Sequence, residues 1–381
     1  MTKKQLVGLS IAALMLSFGV SEGQSGPRIG LVHGIFSDST SWDTTKPQLL
    51  SAFYPNYVDT VFTPNPSWPD HFVDQRQTML DNYSHVGWNT GFLGPLLGSN
   101  TILYGHSNGG IVSRFTSHRI RLLGVTTLAS PQHGAPLLDH YQDMFYWLTN
   151  YVGGSLAQFV DDVWNYGRHL DSVVWEIINN YQDWMGYVDD GLFYAAGMIE
   201  ANNHVMDDMH FYSPFITNDL NGDDALTTER DSIGTPQAIV VTTANWYQMG
   251  LTRLMISNND ADNLGAVVYG AAYDAMALSG DMIEAADPDD DDYDQEIAVA
   301  TDLWTVGWYL LEIDDAYCTA VTDRNEMGCV DASDEIVPLW SQNWGLVTTP
   351  VQVVGPSHTG ETNDYTTART VIHSTYGIGP P

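Results

Sequence analysis

From Arg28 onward, short runs rich in β-branched and aromatic residues alternate with stretches whose apolar residues recur at helical spacing. A mostly parallel sheet covered by helices on both faces is the architecture that uses such an alternation throughout. Strands are expected at Ile29–His33, Asn56–Phe62, Thr101–Tyr104, Leu123–Ala129, Ala238–Trp246 and Val351–Gly355. Helices are expected at Ser41–Phe53, Phe72–Val86, Asn108–Arg119 and Thr366–Tyr376. The rhythm stops between Pro136 and about Pro236, where Leu156, Phe159, Val160, Val163 and Trp164 begin an apolar face at helix spacing. That segment reads as a helical cap. A second insertion, about 247–315, carries the acid run Asp287–Asp294 and reads as helix-poor or mixed. The resulting organisation is a leader at 1–26, a first core half at 27–136, a cap at 137–235 and a second core half at 236–381. The fold class is α/β.

Composition supports a packed protein: 381 residues, 44% hydrophobic and 12% aromatic, can fill a sizeable core, which removes disordered and collagen-like classes. Charge then narrows the partners. With 47 acidic against 13 basic residues and a net charge of -34, attraction to nucleic acid or anionic lipid is disfavoured. The basic start Lys3-Lys4, the apolar run Leu6–Val20 and the small residues Gly19, Ser21 and Gly23 read as a secretory signal. No later stretch is long and apolar enough to span a bilayer. The expected location is therefore outside the cytoplasm, periplasmic or extracellular. In such a compartment a disulfide between Cys318 and Cys329 persists, two free thiols being the alternative.

The residues with chemistry begin at Gly105-His106-Ser107-Asn108-Gly109, between a β-run and a helix. There Ser107 would sit on a sharp strand-to-helix turn, which needs small neighbours such as Gly105, Gly109 and Gly110. A serine hydroxyl needs a base, and the base an orienting carboxylate. On this type of sheet both follow the serine in the order acid, then histidine. His358, in the loop after the last strand, is preferred over His373, which falls inside the closing helix. Asp334 is the expected acid, with Asp331 second. Oxyanion donors are expected from the backbone N–H groups of Asn108 and Ile35, with Phe36 second. His33 reads as a brace for its loop, and His106 as packing behind the turn.

With those residues placed, the chain resembles secreted serine hydrolases of the α/β-hydrolase fold, most of all the bacterial triacylglycerol lipases. The likeness rests on Leu31-Val32-His33-Gly34-Ile35-Phe36, Tyr104–Gly110, Leu128-Ala129-Ser130-Pro131-Gln132-His133-Gly134-Ala135-Pro136, Ser333–Pro338 and the His358 loop. It implies an ester hydrolase acting on apolar acyl substrates through an acyl-enzyme, with no cofactor required. A phospholipase, acyltransferase, lipid-anchor deacylase or polyester depolymerase would use the same residues. An exported binding protein without catalysis is the reading from another class. The resemblance also implies a lid around Phe145, Tyr146, Trp147, Trp164 and Trp175, a permanently packed cap being the rival. It implies a disulfide bracing the region of the acid. Many such lipases hold structural calcium through an Asp two residues after the histidine, where this chain has Gly360, followed by Glu361.

Overall fold

The computed structural model describes residues 26–35, 37–82, 100–140, 204–232, 238–243, 261–289, 293–322, 337–343, 351–354, 358 and 361–379. Six strands, β1 (Arg28–Val32), β2 (Thr60–Phe62), β3 (Thr101–His106), β4 (Gly124–Leu128), β5 (Ala238–Thr243) and β6 (Val351–Val354), lie in the order β2-β1-β3-β4-β5-β6. Every pairing is parallel. Parallel neighbours need long crossovers rather than tight turns, and helices supply them.

Side chains alternate across a strand, so β3 feeds two cores. Leu103 points into one, with Val32, Val125, Phe72, Met79, Ile111, Val112 and Phe115. Ile102 and Tyr104 point into the other, with Ile29, Leu31, Trp42, Leu49, Phe53, Val371 and Ile372. The first face is covered by α2 (Phe72–Asn82) and α3 (Asn108–Ser117), and the second by α1 (Thr45–Phe53) and, at the chain's end, Tyr365–Tyr376. That closing helix starts where the Asp364 carboxylate accepts the Thr367 N–H at 3.0 Å and stops at Gly377, whose φ of 65 is left-handed.

The described end of the 137–235 segment forms α4 (His204–Met209), a π-helical turn (Phe215–Leu220) and α5 (Asp223–Ser232). Val205, Met206, Met209, Phe215, Ile216 and Leu220 are buried in the first core, so this stretch is interior packing. The lid segment around Phe145–Trp147, Trp164 and Trp175 lies outside the described residues.

Of the two readings of the second insertion, helix-poor or mixed, the first is corrected: among the described residues α6 (Ala261–Ala285) and α7 (Tyr293–Thr322) are long helices on either side of the acid run. Small residues let them approach, as where the Ser279 hydroxyl donates to the Ala300 carbonyl at 2.6 Å. A single turn, α8 (Leu339–Gln342), precedes β6, and the closing helix is α9. Cys318 lies on α7, but its side chain and Cys329 fall outside what is described.

Candidate active site

Strand β3 is buried along its whole length, and the chain turns from it directly into α3. At the turn Ser107 has φ 54 and ψ -128. Sparsely populated angles of this kind cost about 1–3 kcal/mol and persist where the surroundings over-determine them. Here the Ser107 N–H donates to the Leu128 carbonyl of β4 at 2.8 Å, and the Ser107 carbonyl accepts the Gly110 N–H at 3.0 Å. The turn also drives α3 against β1. A Cβ on Gly109 would lie 2.8 Å from the carbonyl carbon of Val32, so glycine is required. A Cβ on Gly34 would lie 2.9 Å from that of Ser107 and 3.3 Å from its hydroxyl.

The place of this turn in the sheet matters as much as its shape. From β1 the chain goes first to β2 on one side and then to β3 on the other, so the strand order reverses between β1 and β3. Loops diverge at such a switch point and leave a crevice beyond the carboxyl ends of the strands. Ser107 and Gly34 lie side by side just past the carboxyl ends of β3 and β1 at that point. This arrangement is the α/β-hydrolase fold. No family model matches the chain, and no curated protein does. Among solved structures, the mature Bacillus licheniformis lipase BlEst2 aligns over 92% of this chain and 91% of its own, with 13% identity and a TM-score of 0.40. A thermophilic esterase from Thermogutta terrifontis aligns over 64% of this chain and 78% of its own, with 14% identity and a TM-score of 0.24. A Bacillus megaterium epoxide hydrolase aligns over 57% and 76%, with 12% identity and a TM-score of 0.24. These are distant likenesses of shape, and the chemistry is read from the residues.

His358 reaches the turn from the loop beyond β6. Its Nε2 lies 2.8 Å from the Ser107 hydroxyl, and both residues are buried. Unprotonated, Nε2 accepts that hydroxyl's hydrogen. His373 instead sits on α9 and its Nδ1 faces the Ile378 carbonyl at 3.2 Å. Asp334, Asp331 and Phe36 lie outside the described residues. Ile35 is partly buried against the first core, at the start of the loop leaving β1. Asn108 opens α3, so its N–H is among the first-turn donors without an intrahelical acceptor, at the positive end of the helix.

Gln75, which no motif marks, holds this end of the site together. Its Oε1 accepts from Asn108 Nδ2 at 3.0 Å, while its Nε2 donates to the carbonyls of Trp68 at 3.1 Å and Asp70 at 2.8 Å. Behind the serine stand two more imidazoles. The His33 Nδ1–H donates to the Gly34 carbonyl at 2.8 Å, and burial holds this ring below the ordinary histidine pKa. The His106 ring lies 4.8 Å from that of His358, and its Nε2 is 3.0 Å from Glu361 Oε2. Burial above all, then the charge His358 would carry, pushes His106 well below its usual range. His106 is therefore a neutral ring.

His106, His358 and Glu361 offer ligand atoms within 4.8 Å of one another. Calcium takes about six to eight oxygens, and two imidazoles with one carboxylate do not meet that need. These residues do not fit a calcium site. Glu361 was visible in the sequence only as the neighbour of Gly360; its place three residues beyond His358 was the usable signal.

Proposed function

We propose that this protein is an exported serine hydrolase cleaving carboxylic esters of apolar acyl groups, a lipase or esterase, through an acyl-enzyme. The observation that carries the reading is the 2.8 Å contact of Ser107 Oγ with His358 Nε2 at a strained turn on the switch point. Phe211 and Trp340, with ring centroids 5.1 Å apart near the loop after β4, support an apolar acyl group. The basic and apolar start of the chain supports export; among the described residues no helix is long and apolar enough to cross a membrane.

In the first half-reaction Oγ bonds to the acyl carbon as its proton passes to His358 Nε2. The carbonyl electron pair moves onto oxygen, where the N–H groups of Ile35 and Asn108 hold it. Removing such a donor elsewhere costs roughly 3 to 4 kcal/mol of transition-state stabilisation. The bond to the alcohol oxygen then breaks, and His358 gives that oxygen the proton. Water repeats the sequence on the acyl-serine, releasing the carboxylic acid and restoring Ser107. Asp334 keeps the His358 ring in the right tautomer by accepting its Nδ1–H. Every proton and electron pair is accounted for by ester, water and side chains, so no cofactor is required.

Ser107→Ala is expected to abolish turnover of p-nitrophenyl acyl esters while keeping the wild-type circular dichroism spectrum. A fluorophosphonate should label the wild type at Ser107. Turnover by the variant, or a wild type that resists labelling, overturns the reading.

A further inference from the structure

Between the loop leaving β1 and the loop leaving β2 opens a groove of about 690 Å³. Asp38, Thr40 and Ser41 form one wall, and Asn65, Ser67 and Trp68 the other. Both walls are tied to the Ser107 turn. Gly34 abuts Ser107, and Ser37, which also lines the groove, is at most about 11 Å of extended chain beyond Gly34. On the opposite side the Trp68 carbonyl is bonded to Gln75, and Gln75 to Asn108, the residue after the serine. A molecule whose ester carbon rests at Ser107 therefore has this groove within reach of one of its two arms.

The lining says which arm. Ligand pockets are as a rule mostly apolar, with a few placed polar groups. Here polar groups lead: four hydroxyls, an amide and a carboxylate share the lining with one indole and the prolines Pro66 and Pro69. The Thr40 and Ser41 hydroxyls already donate to Asp38, and Asn65 Oδ1 accepts the Ser39 N–H, but a hydroxyl oxygen keeps acceptor capacity that an alkyl chain would strip of water and a ligand rich in hydroxyls would pair. The half-buried indole adds a flat apolar wall on which a sugar face can stack. Charge narrows the choice further. Asp38 is the only charged residue among the described residues of the lining. Its Oδ1 accepts the Thr40 N–H at 2.8 Å and the Thr40 hydroxyl at 2.6 Å, which favours the carboxylate form. An anionic headgroup would meet that carboxylate on a chain of net charge -34, while a neutral hydroxyl can donate to it.

Resting on the hydrolase reading above, we propose that this groove holds the alcohol portion of the ester, and that this portion is a neutral polyhydroxylated group of sugar size. The acyl arm then takes the aromatic side near Trp340, and the substrate class is acylated sugars or polyols rather than esters of simple alkanols.

The test compares kcat/KM for glucose monooctanoate and methyl octanoate, which share the acyl group and differ only in the alcohol. The wild type is expected to prefer the glucose ester by about tenfold, and Trp68→Ala to reduce that ratio to near unity. Because Trp68 packs against the first core, Ser67→Leu provides a second arm: Ser67 is exposed, and leucine there fills the groove without disturbing the core. It should lower the ratio as well. Hydrolysis of both esters without preference, or a ratio unchanged in both variants, overturns the inference alone. A wild type that hydrolyses neither ester overturns the hydrolase reading on which it rests.

Discussion

Ser107 holds backbone angles that glycine adopts at far lower cost, and it does so at the residue whose hydroxyl meets His358. Ser107→Gly and Ser107→Ala both remove the hydroxyl, so their difference reports the backbone. We expect Ser107→Gly to be the more stable by about 1 kcal/mol in urea unfolding, and both to be inactive. Equal midpoints would mean that the turn is unstrained. The meeting of Ser107 with His358 was legible in the sequence because chemistry and chain order both restrict the pair. Gln75 was not, since its bond to Asn108 joins residues 33 apart and leaves no local pattern. Nor was the nearness of Glu361 to His106, residues 255 apart with no local pattern joining them.

At the level of elements, α3 is buried on every side, Arg114 included. A buried guanidinium requires partners, and α5 and the loop after β4 provide them. Arg114 Nε and Nη2 donate to the two oxygens of Glu229 on α5 at 3.2 Å each, and Nη1 donates to Gln132 Oε1 at 2.5 Å. His118 Nε2 adds a contact to Glu229 at 3.0 Å. Glu229→Ala would leave the cation uncompensated and is expected to lower stability by about 3–5 kcal/mol. The double replacement Arg114→Met with Glu229→Leu should recover much of that loss in the same urea titration; an unaltered Glu229→Ala midpoint would show the pair to be dispensable. Strands β1, β3 and β4 were legible because alternation on a two-faced sheet is strong. The α6–α7 pair was not. Beside Val299 and Leu303, its buried residues are Ala272, Ala275, Ser279, Ala300 and Gly307, too small to stand out as an apolar stripe. Its acidic turn reads as loop, whatever flanks it.

For the molecule as a whole, acid is the expected weak point. Burial holds His33, His106 and His133 below the ordinary histidine pKa, the charge of Arg114 adding to the effect at His133. In the unfolded chain each titrates near 6.5. Above that pH neither state binds the proton. Below it the unfolded state binds more, so stability falls as pH drops through about 6.5 toward the folded values. The urea midpoint should therefore decrease between about pH 7.5 and 5.5, and His133→Asn should flatten the slope. A midpoint that rises with acid would reject the burial argument.

The Ser107–His358 contact spans 251 positions, from the third strand to the loop past the sixth. Translation delivers the nucleophile long before its base, and the amino-terminal half has time to collapse alone. On the proposed chemistry, a nascent or truncated polypeptide carries no working esterase until the far edge of its sheet is added. Proteolytic loss of the last strand would silence the enzyme without touching the serine.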